Sequence, residues 1–347
     1  MSIDEQFMDR CITLAKLGAG KVSPNPMVGA VLVYEGSIVG EGYHEIFGGA
    51  HAEVNCINSV SKQNQEFISK STLYVSLEPC AHFGKTPPCS QLIVSHKIEK
   101  VVIGCTDIYK EVSGRGIAQL KDAGIEVATG ILEQQCIELN KRFFCFHEKK
   151  RPYIILKWAQ SFNSKIGAIS GERILISNDY SNRLVHKWRS EEDAILIGTA
   201  TALKDDPNLT TRLWKGNNPV RVVIDKDLKF PSSLNVFNDA SPSIIFNNLK
   251  NDRNGNIQFI KIEGSDFLTS LLQSLYNLNI QSILVEGGSK TLQSFIDAGL
   301  WDEARVITNT ELNIVSGVDA PELKDGKLET TEMFFTDLIH NYKRTER

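Results

Sequence analysis

His51-Ala52-Glu53, followed after a strand-like run by Pro79-Cys80 and, beyond an eight-residue spacer, by Cys89, is the stretch on which the reading of this chain turns. One imidazole and two thiols can hold a zinc ion and leave a fourth position for water, and a carboxylate two residues from the imidazole can move that water's protons. The set predicts hydrolytic deamination, with His51, Cys80 and Cys89 as metal ligands and Glu53 as the catalytic proton shuttle.

The surrounding pattern places the motif. Ala52 to Val60 reads as a helix, Thr72 to Leu77 as a strand and Ser90 to Lys97 as a second short helix. Residues two apart do not share a helix face, so His51 and Glu53 reach one ion only from an open first turn. The metal is therefore expected off a helix N-terminus. Cys89, after Pro87-Pro88, is expected to open the next helix, where the positive end of the dipole favours a thiolate. Upstream, Phe7, Met8, Cys11, Ile12, Leu14 and Ala15 recur at helical spacing, and Val28 to Tyr34 and Ser37 to Tyr43 flank a Glu35-Gly36 hairpin turn.

At 347 residues, two α/β domains are expected. Beyond the motif, Lys100 to Cys105 and Ile125 to Ala128 read as strands, and Gly116 to Ala123 and Gln134 to Phe146 as helices. The charged run Glu148-Lys149-Lys150-Arg151 ending in Pro152 marks the boundary, giving domains at 1–148 and 153–347. Strands then follow at Tyr153 to Trp158, Ala194 to Gly198, Val220 to Asp225, Ser243 to Phe246, Ile257 to Ile262 and Ser282 to Glu286. Helices alternate with them at Asp179 to Arg189, Phe267 to Leu278 and Thr291 to Ala298.

Composition excludes several classes. The net charge is −4, with 23% charged and 41% hydrophobic residues, so no basic excess advertises a nucleic-acid surface. No apolar run approaches the roughly 20 residues needed to cross a bilayer, and Met1-Ser2-Ile3-Asp4-Glu5 lacks the features of a signal peptide. Seven irregularly spaced cysteines do not form a disulfide framework. A soluble, cytoplasmic protein is expected.

A purely structural zinc site is normally closed by four protein ligands. Three are placed here, and Glu53 has no structural purpose at that spacing, so catalysis is expected; His82, between the cysteines, is the residue that could close the site instead. Two further alternatives share the motif. A nucleoside or tRNA deaminase has His-x-Glu and Pro-Cys, and a zinc-stabilised interaction module would keep its function without Glu53.

The residues resemble a specific family. Asn25-Pro26-x-Val28-Gly29, Gly42-Tyr43-His44, His51-Ala52-Glu53-Val54 and Glu78-Pro79-Cys80-x-His82-x-Gly84-Lys85-Thr86-Pro87-Pro88-Cys89 look like the deaminase half of the bifunctional riboflavin-biosynthesis deaminase/reductase family, RibD. The long cysteine spacer sets this pattern apart from zinc deaminases with two residues between their cysteines. In the second half, Gly198-Thr199-x-Thr201, Asp205-Asp206-Pro207-x-Leu209-Thr210-x-Arg212 and Glu286-Gly287-Gly288-Ser289 match the family reductase in order and spacing.

The resemblance implies a cytidine-deaminase-like three-layer domain followed by a dihydrofolate-reductase-like domain. Its implied cofactors are Zn2+ and NADPH. The implied substrate is a phosphorylated pyrimidine, 2,5-diamino-6-ribosylamino-4(3H)-pyrimidinone 5′-phosphate, whose ribosyl group is reduced to a ribityl chain after deamination. Asn25, His44, His82 and Lys85 would contact the deaminase substrate. Ala159, Thr201, Asp205 and the run Gly288, Ser289, Lys290, Thr291, Leu292, Gln293 and Ser294 would face NADPH, the run lying where free backbone N–H groups could meet a phosphate. Lys157, Arg173, Leu175, Arg189, Leu209, Arg212 and Glu286 would face the reductase substrate, the arginines as planar forks for its phosphate. Lys157 and Asp205 are expected as polar anchors near hydride transfer. No Gly-x-Gly-x-x-Gly follows the first strand, so a Rossmann reading does not apply. A homo-oligomer is expected by resemblance alone.

Departures from the family pattern fall mainly in the second half. Ser161-Phe162-Asn163-Ser164 stands where the family usually reads Ser-Leu-Asp-Gly, so the turn is expected to follow a different backbone path. Arg173 and Leu175 stand where some members carry Ser and Trp, and the segment after Asp107 lacks a usual Pro-Asn-Pro. A deaminase whose second domain binds without reducing stays open on these grounds.

Overall fold

In the computed structural model, which describes residues 1–81, 83, 87–108, 113–170 and 172–345, the apolar strands gather into two large sheets, one in each of two units, Met1–Lys149 and Lys150–Arg347.

The first unit opens with α1 (Ile3–Ala15), started by a capping box in which Ser2 and Glu5 satisfy each other's backbone N–H groups. It continues through β1 (Gly29–Tyr34), β2 (Ser37–Tyr43), α2 (Ala52–Asn58), β3 (Thr72–Leu77), α3 (Cys89–Ser95), β4 (Lys100–Cys105), α4 (Arg115–Asp122), β5 (Glu126–Thr129), α5 (Glu133–Leu139) and α6 (Lys141–Lys149). The β1–β2 hairpin turns through Glu35 and Gly36, both at positive φ, the turn geometry that matches strand twist. Strand order is β2-β1-β3-β4-β5, antiparallel across β2-β1-β3 and parallel across β3-β4-β5.

Alternation along these strands builds three layers. Ala30, Leu32, Leu73, Val75, Val101 and Ile103 bury against Ala52, Cys56, Ile93 and Leu120 of α2, α3 and α4. Val31, Val33, Tyr74 and Val102 take the opposite face, against Met8, Cys11, Cys136 and Leu139 of α1 and α5. The single helix expected from Gln134 to Phe146 is instead two, broken at Asn140. That buried side chain bonds both backbone groups of Met27, at 2.8 and 2.9 Å, and a tertiary bond of this kind competes with helix propagation.

The second unit contains β6 (Tyr153–Ser161), β7 (Lys165–Ala168), α7 (Asp179–Glu191), β8 (Ala194–Ile197), α8 (Thr199–Asp205), β9 (Val220–Ile224), β10 (Ser243–Asn247), β11 (Asp252–Asn254) and β12 (Ile257–Lys261). It ends with α9 (Phe267–Asn277), β13 (Ser282–Val285), α10 (Ser289–Asp297), β14 (Glu303–Asn309), β15 (Gly317–Asp319), β16 (Gly326–Phe334) and β17 (Asp337–Arg344). Strand order in the main sheet is β11-β12-β10-β9-β8-β13-β6-β14-β17-β16, parallel from β12 to β14 and antiparallel at both margins. Ile154, Leu156, Leu196 and Val222 face the α9 and α10 side, while Ile195, Ile197, Val223 and Ile245 bury against Ala202 and Leu209. The parallel strands bring the α8 and α10 N-termini to one end of the sheet.

The turn at Ser161 to Ser164 keeps the conformation that a glycine would take. Ser164 sits at φ +58°, and its N–H bonds the Ser161 carbonyl at 3.0 Å. Asn163 braces the turn through the backbone N–H and carbonyl of Ile314, at 3.1 and 3.0 Å. Among the described residues no helix is long and apolar enough to cross a membrane.

Candidate functional site

In the first unit, His51 is the N-cap of α2, and its extended backbone turns the ring out of the helix. Its Nδ1 lies 3.6 Å from Cys80 Sγ and 3.3 Å from Cys89 Sγ. All three donor atoms lie within 4.8 Å of one another. Cys80 follows β3, and Cys89 opens α3 behind Pro88, as the sequence predicts; its N–H points at Cys80 Sγ at 3.3 Å.

This donor set fits zinc. Imidazole and two sulfurs are borderline-to-soft ligands, and none of the seven cysteines is in a disulfide. The Cys80 thiol is pulled down to about 4, chiefly by the hydrogen bond donated from Cys89, against burial and with help from His51. Cys89 is pushed up by the same contact and by burial. A divalent cation taking both sulfurs as thiolates would displace their protons. Glu53, in the first turn of α2, is 3% exposed, and burial pushes its carboxyl up, with the nearby Cys80 sulfur adding to the effect.

His44 and Asn25 meet beside this centre. His44 Nδ1–H donates to the Ala50 carbonyl at 2.9 Å, and burial holds the ring neutral, so Nε2 accepts from Asn25 Nδ2 at 3.1 Å. Both ring nitrogens are thus engaged. His44 thereby orients the Asn25 amide. His82 and Lys85 lie outside the described residues.

In the second unit, a cleft of about 600 Å³ is lined by Arg173, Arg189, Thr201, Asp205, Leu209, Arg212, Glu286, Gly288, Ser289, Lys290 and Thr291. A smaller cavity of about 290 Å³ adds Lys157, Ala159 and Leu175, and shares Arg173, Thr201, Asp205, Glu286 and Gly288 with the first. The structure does not bring Leu292, Gln293 and Ser294 to either. Leu292 is buried in the apolar core, Gln293 bonds Asp297 and the backbone of Glu322, and Ser294 bonds back to the Thr291 carbonyl.

The cleft has a close-packed floor and a buried charge cluster. A Cβ on Gly198 would fall 2.2 Å from Thr291 Oγ1, and one on Gly287 would fall 2.8 Å from Thr291 Cβ. The first turn of α10 therefore packs on the Gly198 backbone, and its Ser289 and Lys290 N–H groups lack intrahelical acceptors, a cradle suited to a cofactor phosphate. Arg189 and Glu286 pair side by side in the wall. Burial acts to raise the Glu286 carboxyl, but Arg189 and Lys157 outweigh it and hold it at about 2. Burial pushes the Lys157 ammonium down, with Glu286 opposing.

Two residues to which the sequence reading gave no role of their own lie next to residues of these sites. His186, one turn before Arg189, is 4% exposed and held near 4 by burial and by Arg189 and Arg212. Glu78 follows the buried strand β3 directly and precedes Pro79-Cys80. An acid closing an apolar run and a histidine one helical turn from an arginine are the signals that could have found them.

Comparison with known proteins accounts for both halves. Residues 1–105 match the cytidine and deoxycytidylate deaminase zinc-binding region, and residues 152–312 match the RibD C-terminal domain. The riboflavin biosynthesis protein RibD of Aquifex aeolicus is 40% identical over 307 residues, covering 86% of this chain and 85% of that protein. RibD of Escherichia coli is 33% identical over 318 residues, covering 86% of each. The crystal structure of a diaminohydroxyphosphoribosylaminopyrimidine deaminase/5-amino-6-(5-phosphoribosylamino)uracil reductase from Thermotoga maritima superposes with a TM-score of 0.91 at 35% identity, over 99% of both chains. The expected fold, a cytidine-deaminase-like layer sandwich followed by a dihydrofolate-reductase-like domain, holds. With a His/Cys/Cys centre in one half, a glycine-floored cleft in the other and relatives matched along nearly the whole length, the chain belongs to the RibD family of riboflavin biosynthesis proteins.

Proposed function

We propose that residues 1–148 hydrolytically deaminate 2,5-diamino-6-ribosylamino-4(3H)-pyrimidinone 5′-phosphate, and that residues 153–347 then reduce the ribosyl group of the product to a ribityl chain with NADPH. The observation that carries the first step is the meeting of His51 Nδ1, Cys80 Sγ and Cys89 Sγ beside the buried Glu53. Zinc held by these three atoms would supply Lewis acidity to a water. Glu53 would take a proton from the attacking water and return a proton to the departing amine as the water oxygen bonds the ring carbon and the C–N bond breaks, releasing ammonia. A carboxyl pushed up by burial suits a group that must cycle between both protonation states. Asn25, whose amide is held by His44, would read a polar edge of the ring.

For the second step, the α10 N-terminus and the Gly287-Gly288 floor would hold the cofactor phosphate. NADPH would supply the hydride. Lys157 and Asp205 face the smaller cavity, where they can anchor the sugar, and Arg173 and Arg212 line the larger cleft as cations for the substrate phosphate. We further propose a cytoplasmic homo-oligomer, which light scattering after size exclusion tests. The proposal as a whole is tested by feeding the pyrimidine to the purified zinc-loaded protein and following ammonia and NADPH together. Ammonia without NADPH oxidation sinks the reductase half.

A further inference from the structure

Glu78 is buried at 4% exposure, immediately after β3 and two residues before Cys80. Its carboxylate accepts four backbone N–H groups. Oε2 takes those of Asp107 at 3.2 Å and Gly114 at 3.0 Å; Oε1 takes those of Gly116 at 3.0 Å and Ile117 at 3.2 Å. Gly114 is the N-cap of α4, and Gly116 and Ile117 lie in its first turn, where N–H groups have no intrahelical acceptor. A carboxylate distant in sequence therefore caps α4 and fixes the helix against the strand that delivers Cys80.

Two more contacts run between α4 and the same peptide. Gly116 presses so closely on the Pro79 carbonyl that a Cβ there would fall 2.0 Å from its oxygen. Gln119, one turn on, reaches the Ala81 carbonyl at 3.4 Å and bonds Ser90 Oγ at 2.6 Å, and the Ser90 N–H in turn donates to the Cys80 carbonyl at 3.2 Å. Helix α4 carries none of the three donor atoms, yet it touches the residues on both sides of Cys80.

We propose that Glu78 is a positioning residue for the metal centre, setting the Cys80 sulfur against His51 and Cys89 by locking Pro79-Cys80 to the first turn of α4. This rests on the zinc reading given above. In Glu78→Gln one oxygen becomes an NH2 group facing two N–H donors, so the clamp opens on one side while size is preserved. Residues that orient metal ligands from behind typically change metal affinity by about 10- to 100-fold when altered.

The test is zinc affinity by competition with a chromophoric chelator on the full-length chain, read beside thermal melting. Glu78→Gln is expected to bind zinc about 10- to 100-fold more weakly than wild type. Gly116→Ala, which forces Pro79 aside, is expected to weaken zinc in the same direction, and the milder Gln119→Ala by a smaller factor, so a Glu78 variant that fails to fold does not end the test. Leu120→Ala, on the core face of α4, is the control: it is expected to lose thermal stability and keep wild-type affinity. Wild-type affinity in folded Glu78→Gln, or in Gly116→Ala and Gln119→Ala together, overturns the proposal. So does Leu120→Ala losing as much affinity as they do. Wild-type protein that takes up no zinc overturns the metal reading itself, and this proposal with it.

Discussion

Arg189 and Glu286 meet fork to fork, Nε to Oε1 at 2.8 Å and Nη2 to Oε2 at 2.7 Å, although 97 residues separate them in sequence. Arg189 Nη1 also donates to the Thr210 carbonyl at 3.3 Å. Its guanidinium is thus largely committed to the wall of the cleft, which leaves the exposed Arg212 and Arg173 as the more available cations for a substrate phosphate.

Removing one partner of this pair leaves a buried charge uncompensated. Glu286→Leu is expected to lower the stability of the second unit by about 3 kcal/mol. By displacing Arg189 and Lys157 it also lowers reductase kcat/KM by roughly 100-fold. Deamination should not change. Denaturant melts with both half-reactions assayed separately check this, and an unchanged reductase rate would remove Glu286 from the site.

Acid should loosen the same region in two stages. His186 titrates at about 4 in the folded protein against an ordinary 6.5, and Glu286 at about 2 against 4.5. Both values are depressed, so the unfolded chain binds more protons over each interval and folding stability falls as pH falls. For Glu286 the stability is present above about pH 4.5 and is lost towards pH 2. The groups facing His186 are Arg189, Arg212 and Glu286. His186→Gln is expected to flatten the melting-temperature profile between pH 6.5 and 4 and leave the lower stage intact. Identical slopes in variant and wild type contradict the assignment.

Glu53→Gln should separate metal binding from chemistry. The amide keeps the shape but cannot accept and return a proton, so deamination is expected to fall by at least about 100-fold. Zinc content by elemental analysis should stay at the wild-type level, because Glu53 is not among the three donor atoms. NADPH oxidation with the already deaminated intermediate should also persist. Loss of zinc together with activity would move Glu53 into the ligand set.

Ser164 occupies left-handed backbone at φ +58° without the freedom of glycine. Ser164→Gly is expected to stabilise the protein by up to about 1 kcal/mol, offset in part by the greater entropy of glycine in the unfolded chain. Reductase kinetics should not change. A melting temperature below wild type would mean that the Ser164 side-chain contacts and the unfolded-state entropy of glycine together outweigh the relief of left-handed strain.

The zinc centre was legible in sequence because its ligands announce themselves by residue type, and because Pro88 and the polar-to-apolar change at Ala52 mark the two helix starts that carry them. Leu292 was also legible, though as core: with Phe295 and Ile296 it repeats at helical spacing, and carrying it over with its neighbours as a cofactor contact overrode that signal. Strands β14 to β17 were missed. β16 exposes all but the last of its residues, so no apolar alternation marks it, and its pairing with β17 is a tertiary fact. The Asn140 break and the Arg189–Glu286 pair were hidden for the same reason, since each depends on a partner about a hundred residues away.

The central claim is that one chain performs both reactions in order. The most direct measurement follows NADPH absorbance after adding the undeaminated pyrimidine phosphate to zinc-loaded wild type and to Glu53→Gln. The account predicts oxidation by wild type, none above background by the variant, and recovery in the variant when the deaminated intermediate is supplied. Oxidation by the variant with the undeaminated substrate, or none by wild type with the deaminated one, would contradict it.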